Sequence, residues 1–344
     1  MREKSMARRS WLLALLLVVA DPPSGLACNT ASCPLVTQSR GSLREKGSFR
    51  FDLSYRFMDE KRVLGVDGGD GLGSRVDFEQ GQVFSGHHQD KGMQHQQLQL
   101  EAAYGITRRL TVFGTLPILN DRQHEQYEMV VPGETIPSHT HSAAVPGAVV
   151  SSIVGSHGAR GFGDAQLGAV FAIRARPDTP VLARVAVELP TGDYDRVDDR
   201  GTIERPDIQP GSGSTDWILG LQHARPLGGV VFFSAASVTL SGASPLLYRF
   251  GDEFDLSAGV SRQASKRVEI SGQLSLRQWG HDEFRGASVP NTGATLVSLV
   301  PGIRVSTPQR FAFYAYVKLP LYQSPNGVQL LPRIDLITGI ARSF

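Results

Sequence analysis

The sequence predicts an all-β chain folded as a transmembrane antiparallel β-barrel of about twelve strands, with short periplasmic turns and long extracellular loops. Three observations carry this reading. Apolar and polar residues alternate with a period of two in segment after segment. Short polar turns and long loops rich in Gly, Pro and Asp join these segments by turns. Beyond the N-terminal leader, charge breaks every apolar run long before the length of about 20 residues that a membrane helix needs. A formal charge of +2 over 344 residues argues against a nucleic-acid partner. A hydrophobic fraction of 41% suits a closed sheet with lipid outside and a polar lumen. A soluble β-sandwich could use the same composition, but it would not need its long loops on one side only.

The chain opens with an export signal over residues 1–27. Arg2, Lys4, Arg8 and Arg9 form a basic start, Trp11 to Ala20 is apolar, and Gly25-Leu-Ala27 supplies small residues before a cut at Cys28. Arg8-Arg9 faintly resembles a twin-arginine signal, but a barrel must cross the periplasm unfolded, which favours the general secretory route. A lipoprotein cut at Cys28 is the other reading, weakened because Gly25 stands where Leu is expected. Residues 28–46 then form a periplasmic N-terminal segment, and residues 47–344 form the barrel. Cys28 and Cys33 are the only cysteines, and in an oxidising periplasm they are expected to form a local disulfide. A metal or redox site is the alternative use of the pair.

The first strand is the clearest. Phe49, Phe51, Leu53, Tyr55 and Phe57 alternate with Ser48, Arg50, Asp52, Ser54 and Arg56. In a soluble core either face would leave charges buried or rings exposed, whereas lipid on one side and a polar lumen on the other satisfies both. A loop is expected over residues 58–93; its run Asp67-Gly-Gly-Asp70-Gly-Leu-Gly73 lacks the full spacing of a calcium loop. The second strand places Leu98, Leu100, Ala102, Tyr104 and Ile106 outward, and the third Leu110, Val112, Leu116 and Ile118. A second long loop is expected over residues 119–160.

Strands four to six are expected at Gly163 to Ile173, Val181 to Leu189 and Gly213 to His223. In the fourth, Ala165, Leu167, Ala169, Phe171 and Ile173 share one face, and in the fifth Val181, Ala183, Val185, Val187 and Leu189 do so. Three short pieces accompany them: Gly161-Phe-Gly-Asp164, Glu188-Leu-Pro-Thr-Gly-Asp193 and Gly211-Ser-Gly-Ser-Thr-Asp-Trp217. In order and spacing they resemble the outer-membrane transporter family associated with the phenol-degradation meta pathway, most clearly over Leu98 to Leu221. That resemblance implies a barrel of about twelve strands that passes small, often hydrophobic molecules. It names a class of solute and no ligand.

Six further strands follow, from Val230 to Leu240, Glu253 to Ser261, Arg267 to Trp279, Thr295 to Val305, Arg310 to Leu321 and Leu331 to Phe344. Short connections at 105–109, 174–179, 225–229, 263–266 and 306–309 become periplasmic turns. The longer ones, including 190–212, 241–251, 280–294 and 322–330, face outside. Phe344 ends a strand that carries Ile334, Leu336, Thr338 and Ile340 at every second position, resembling the signal read by the outer-membrane assembly machinery.

Function is expected in the lumen. Arg50, Asp52, Arg56, Glu101, Asp164, Arg184, Glu188, Asp216, Asp255, Glu269, Arg277, Lys318, Arg333 and Asp335 fall on the polar faces of their strands. They either line a passage or pair with one another to fill a narrow barrel. Both signs occur in similar numbers, so no ion selectivity is expected of them. The chain therefore reads as an outer-membrane channel or transporter for passive passage of small hydrophobic or aromatic molecules. The alternative is a sealed barrel whose His-rich extracellular loops bind a metal or a partner. His87, His88, Met93 and His95 stand at the first long loop, and His124, Met129, His139, His141 and His157 at the second. Imidazole and thioether suit Cu, and imidazole alone suits Zn; a solvated polar loop accumulates the same residues without purpose. No other cofactor is implied. His139, His141 and Ser142 could pair for nucleophilic chemistry, but no nucleophile elbow accompanies them, so no enzyme is expected.

Overall fold

The computed structural model describes residues 43–65, 73–130, 151–174, 180–198 and 201–344. Twelve of its strands close a barrel. β1 is Phe49–Glu60, β2 Gln82–Thr107, β3 Leu110–Val130, β4 Ala165–Arg174, β5 Val181–Leu189 and β6 Asp216–Leu227. β7 is Val230–Leu240, β8 Glu253–Gln263, β9 Val268–Trp279, β10 Ala294–Ser306, β11 Phe311–Pro325 and β12 Ile334–Ser343. Each pairs antiparallel with its sequence neighbours. β1 also pairs with β12, Leu53 opposite Ile340, and this contact closes the ring. A closed ring leaves no backbone edge unpaired in hydrocarbon.

The faces sort as the alternation predicts. Phe51, Leu53, Leu100, Leu167, Val185, Leu219, Leu274 and Phe313 are exposed on the outer surface, while Arg50, Asp52, Glu101, Gln166, Arg184, Gln273 and Asp335 are buried inside. At the short-turn end the outer surface carries an aromatic cluster. Phe49 lies 4.4 Å from the Tyr104 ring, and Phe51 meets Phe344 edge-on at 6.0 Å. Such rings suit the interface between hydrocarbon and headgroups. The Phe344 N–H donates to the Phe49 carbonyl at 2.9 Å, extending the closing seam by one bond.

Inside, four aromatic residues each lie directly opposite a glycine on the next strand: Phe113 with Gly168, Phe233 with Gly259, Tyr316 with Gly302 and Tyr314 with Gly339. In every pair the ring occupies the place a Cβ would take. At Gly168 an added Cβ would sit 2.5 Å from the Phe113 ring and 2.7 Å from Ala186 Cβ. Glycine here provides room for a ring to lie flat along the wall, a recurrent way of stabilising glycine in sheets.

Two long loops are shorter than expected, because strands continue past the membrane. β2 starts at Gln82 rather than near Leu98, and Gly73–Asp77 pairs with its first residues as a hairpin. β3 runs on to Val130, and Ser151–Gly161 pairs along that extension. The strand was illegible beyond Ile118 because a bulge shifts the register between β2 and β3: Leu98 faces Leu119 but Gln99 faces Pro117. Thr111, Thr115 and Pro117 are buried on one side of the bulge, and Asn120 and His124 on the other, so odd positions point inward before it and even positions after. The remaining long connections keep short paired pieces, Tyr248–Arg249, Glu283–Phe284, Ala287–Ser288 and Gln329–Leu331.

Replacing Val185 with Arg places a charge in hydrocarbon near the middle of β5 and should destabilise the barrel by about 2 to 4 kcal/mol. Gln166→Arg, inside the barrel and beside carboxylates, should cost much less. Reversible unfolding in lipid vesicles measures both, and equal losses would overturn the assignment of faces.

Candidate functional site

The lumen is built as a packed belt with a cavity on either side. In the belt, Arg50 ion-pairs with Asp52, which also accepts a 2.6 Å hydrogen bond from the Tyr314 hydroxyl. The Arg184 guanidinium stacks over the Phe113 ring at 4.3 Å. Phe113, Val170, Leu182, Ala186 and Ile218 pack around them as an apolar cluster, with Leu43 against it. Leu43 belongs to the segment ahead of β1, which turns into the short-turn mouth. There the Arg44 N–H donates to Thr111 Oγ1 at 2.8 Å, and the Gly47 N–H to the Gly105 carbonyl. Nothing in the pattern of residues 43–47 announces this, because the segment has no alternation to read. A cavity of 920 Å³ opens at that mouth, bordered by Arg44, Lys266, Arg267, Glu269 and Arg304.

Above the belt a cavity of 490 Å³ lies beneath the long loops. Its wall is polar toward β4, β5 and β6, where Gln166, Glu188 and Asp216 stand, and apolar toward Trp279, Leu296 and Leu331. Its roof includes Val76, Tyr248, Phe250 and Val289, part of an apolar cap formed where the Gly73–Asp77 hairpin meets the loops after β7 and β9. The Tyr248 hydroxyl donates to Asp282 Oδ2 at 2.5 Å, and the Gly251 N–H donates to Asp282 Oδ1 at 2.8 Å.

The three sequence pieces that carried the family resemblance converge on one carboxylate. Asp164 Oδ1 accepts the Gly192 N–H at 2.8 Å, and Oδ2 accepts the Ser212 N–H at 2.6 Å and its hydroxyl at 2.9 Å. Thr191 Oγ1 accepts the Ala165 N–H at 2.8 Å and donates to the Gly163 carbonyl at 3.1 Å. Asp164 therefore ties the loop over residues 190–212 to the barrel rim, with both oxygens occupied.

Five of the expected lumen residues, Arg50, Asp52, Arg56, Lys318 and Asp335, pair with one another, and the others meet different partners. Arg56 makes two hydrogen bonds to Asp335, at 2.9 and 2.7 Å, and Lys318 lies 3.7 Å from the same carboxylate. Arg277 pairs with Glu253 and stacks on Trp279. Gln166 Nε2 donates to Glu188 Oε2 at 2.5 Å, and Asp216 accepts from Ser214 Oγ at 2.7 Å. Glu101, Asp255 and Glu269 are buried on inward faces. Arg333 stands apart: it precedes β12, its side chain is 67% exposed, and it reaches Asp59 at 3.0 Å. Glu253, Arg122 and Arg205 were not among the expected residues, Arg122 because the bulge hid its face and Arg205 because it lies on a loop.

His87, His88 and His95 lie on the extension of β2, His124 lies on that of β3, and His157 lies on the Ser151–Gly161 strand paired with it. His124 Nε2 bonds Asp90 Oδ1 at 2.8 Å, His95 Nε2 bonds Asn120 Oδ1 at 2.6 Å, and His157 Nδ1 lies 3.3 Å from Glu204. Met93 sits opposite His124 in the register. Among the described residues no group of three or more His, Cys, Asp or Glu side chains is placed to hold a metal ion. His87 and His88 lie on β2 and Met129 on β3, but their side chains are outside the description, as are His139, His141, Ser142, Cys28 and Cys33 altogether. Arg205 joins the outer network, bonding Asp90 at 3.0 Å and Asp207 at 3.0 and 2.6 Å. Burial pushes the Asp207 carboxyl up, but Arg205 beside it holds it below the ordinary value.

A closed antiparallel barrel of twelve strands, apolar outside and polar within, defines the class of outer-membrane β-barrels, and the chain resides in the bacterial outer membrane. Its fold is similar to the crystal structure of an outer-membrane channel from Pseudomonas putida F1, with a TM-score of 0.58 at 14% identity over 88% of this chain and 97% of that one. The CymD monoaromatic hydrocarbon channel (TM-score 0.41, 12% identity, 88% and 89% covered) and the NanC porin (0.41, 8%, 86% and 98%) are similar more loosely. No family profile and no curated protein matches the chain.

The loop cap should respond to pH through Asp282. Burial pushes its carboxyl up to about 6, against opposing hydrogen bonds from Tyr248 and Gly251. The folded cap thus holds a proton that the opened loop releases near 4. Its contribution is complete below that value and is lost as pH rises through about 6. Amide exchange at Gly251 should be slower at pH 4 than at pH 7 after correction for intrinsic rates, and Asp282→Asn should remove the difference.

Proposed function

We propose that this chain is a passive channel or transporter for small hydrophobic or aromatic molecules across the outer membrane, without enzymatic activity. The observation that carries the reading is the 490 Å³ cavity, large enough for a single-ring solute and walled on one side by Trp279, Leu296 and Leu331. The fold it shares with an outer-membrane channel supports the same reading. So does the resemblance of the pieces around Asp164, Asp193 and Ser212 to the phenol-degradation transporter family. The terminal Phe344, seated on the closing seam, fits a role as the mark by which assembly machinery receives the strand.

The metal-binding alternative gains nothing from His95, His124 and His157, each of which has a protein partner for a ring nitrogen. In the channel reading the belt and the segment carrying Leu43 and Arg44 form the resistance to flow. Planar bilayers should therefore show small conductance steps for the wild type and larger ones for the double variant Leu43→Gly, Arg44→Gly. A barrel with neither conductance nor entry of a small aromatic solute into liposomes would overturn the reading.

A further inference from the structure

Register brings three lumen residues into one row on adjacent strands. Gln166 on β4 lies directly opposite Glu188 on β5, and Glu188 directly opposite Asp216 on β6. Cross-strand neighbours on one face have Cβ atoms only about 4.5 to 5.5 Å apart, a spacing at which two carboxylates repel unless a cation joins them. The guanidinium groups that line the same cavity are engaged elsewhere. Arg56 is bonded to Asp335, Arg277 to Glu253, Arg205 to Asp90 and Asp207, and Arg122 to the Asp207 carbonyl. The lining as a whole holds eight carboxylates against four guanidinium groups.

A second observation is independent of the charges. Gln166 lines this cavity, is 7% exposed, and donates through Nε2 to Glu188, yet its Oε1 has no hydrogen-bond partner. Glu188 takes one donor, from Gln166, and Asp216 takes two on Oδ1, from the Ser214 hydroxyl and the Gly242 N–H, which leaves the Gln166 carbonyl oxygen and the second oxygen of each carboxylate as acceptors. Ile218 follows Asp216 on the same face of β6, and the apolar wall of Leu296 and Trp279 borders the same space.

We propose that Gln166, Glu188 and Asp216 form a subsite for the ammonium group of a small amine whose apolar body rests in the remainder of the cavity. An ammonium carries three N–H donors and a positive charge, matching one amide oxygen and two carboxylates. A metal ion fits less well, since no cluster of three ligating side chains exists among the described residues. The charges counted as balanced along the sequence are thus sorted in space, and the sorting favours cations. Passage of such an amine rests on the channel reading; its binding does not.

Benzylammonium and its neutral counterpart benzyl alcohol separate the charge from the ring. Titrated calorimetrically into the detergent-solubilised barrel, benzylammonium should bind saturably and at least about tenfold more tightly than benzyl alcohol. Glu188→Gln, which keeps the side-chain shape, should remove most of that preference, and Asp216→Asn should do the same. The folded state of each variant is read from its heat-modifiable mobility on gels, and either variant alone suffices. Equal affinity for the two probes, or a preference unchanged in a folded variant, overturns the subsite. Liposome entry tests the rest: binding without entry of either probe removes passage and leaves the subsite standing, whereas entry of both probes with equal affinity in the titration removes the subsite and leaves passage standing.

Discussion

In hydrocarbon no water is present to take up an unpaired backbone N–H or carbonyl, so the pairing of β1 with β12 is the contact on which everything else depends. It turns an open sheet into a ring, and a ring assigns each strand an inner and an outer face at once. Ring closure also fixes register, because Leu53 can face Ile340 on one side and Leu100 on the other in only one way. From register follow the positions of all the inward side chains: the Arg56 and Asp335 pair, 279 residues apart in sequence, exists only because the ring closes.

How much of this can be read from the sequence depends on how sharply the two faces differ. In β1, β4 and β5 the outer side meets lipid and the inner side carries charge, so Phe51, Leu167 and Val185 declare themselves. The upper parts of β2 and β3 stand outside hydrocarbon, where neither face must be apolar, and residues such as Gln94, Gln96 and Gln123 carry no period. The bulge beyond Pro117 then reverses parity just where the pattern weakens. Sequence alone could list the lumen charges but not their neighbours, since whether Arg277 meets Glu253 or Asp255 is decided by register and rotamer rather than by type. The turn of Leu43 into the mouth had no local signal at all.

The lumen also separates two uses of a carboxylate that look alike along the chain. Asp164 spends both oxygens on backbone and hydroxyl donors of the loop over residues 190–212, so the short motif around it is a clasp for that loop. Glu188, at the top of the adjacent strand, has a single donor from Gln166. Arg50 and Asp52 in the belt hold each other, and elsewhere in the lumen Arg56 and Lys318 hold Asp335, which is the cheaper state for ions removed from water.

The four pairs of ring and glycine bear on how such a barrel could change its bore. A ring that lies flat over a glycine adds little thickness to the wall, whereas the same ring above an alanine would have to stand up into the lumen. Inner diameter is then adjustable at Gly168, Gly259, Gly302 and Gly339 one methyl group at a time, without breaking a ladder hydrogen bond or altering the number of strands. Two barrels with identical backbones could on this basis sieve solutes of different size, the distinction residing in residues that have no side chain.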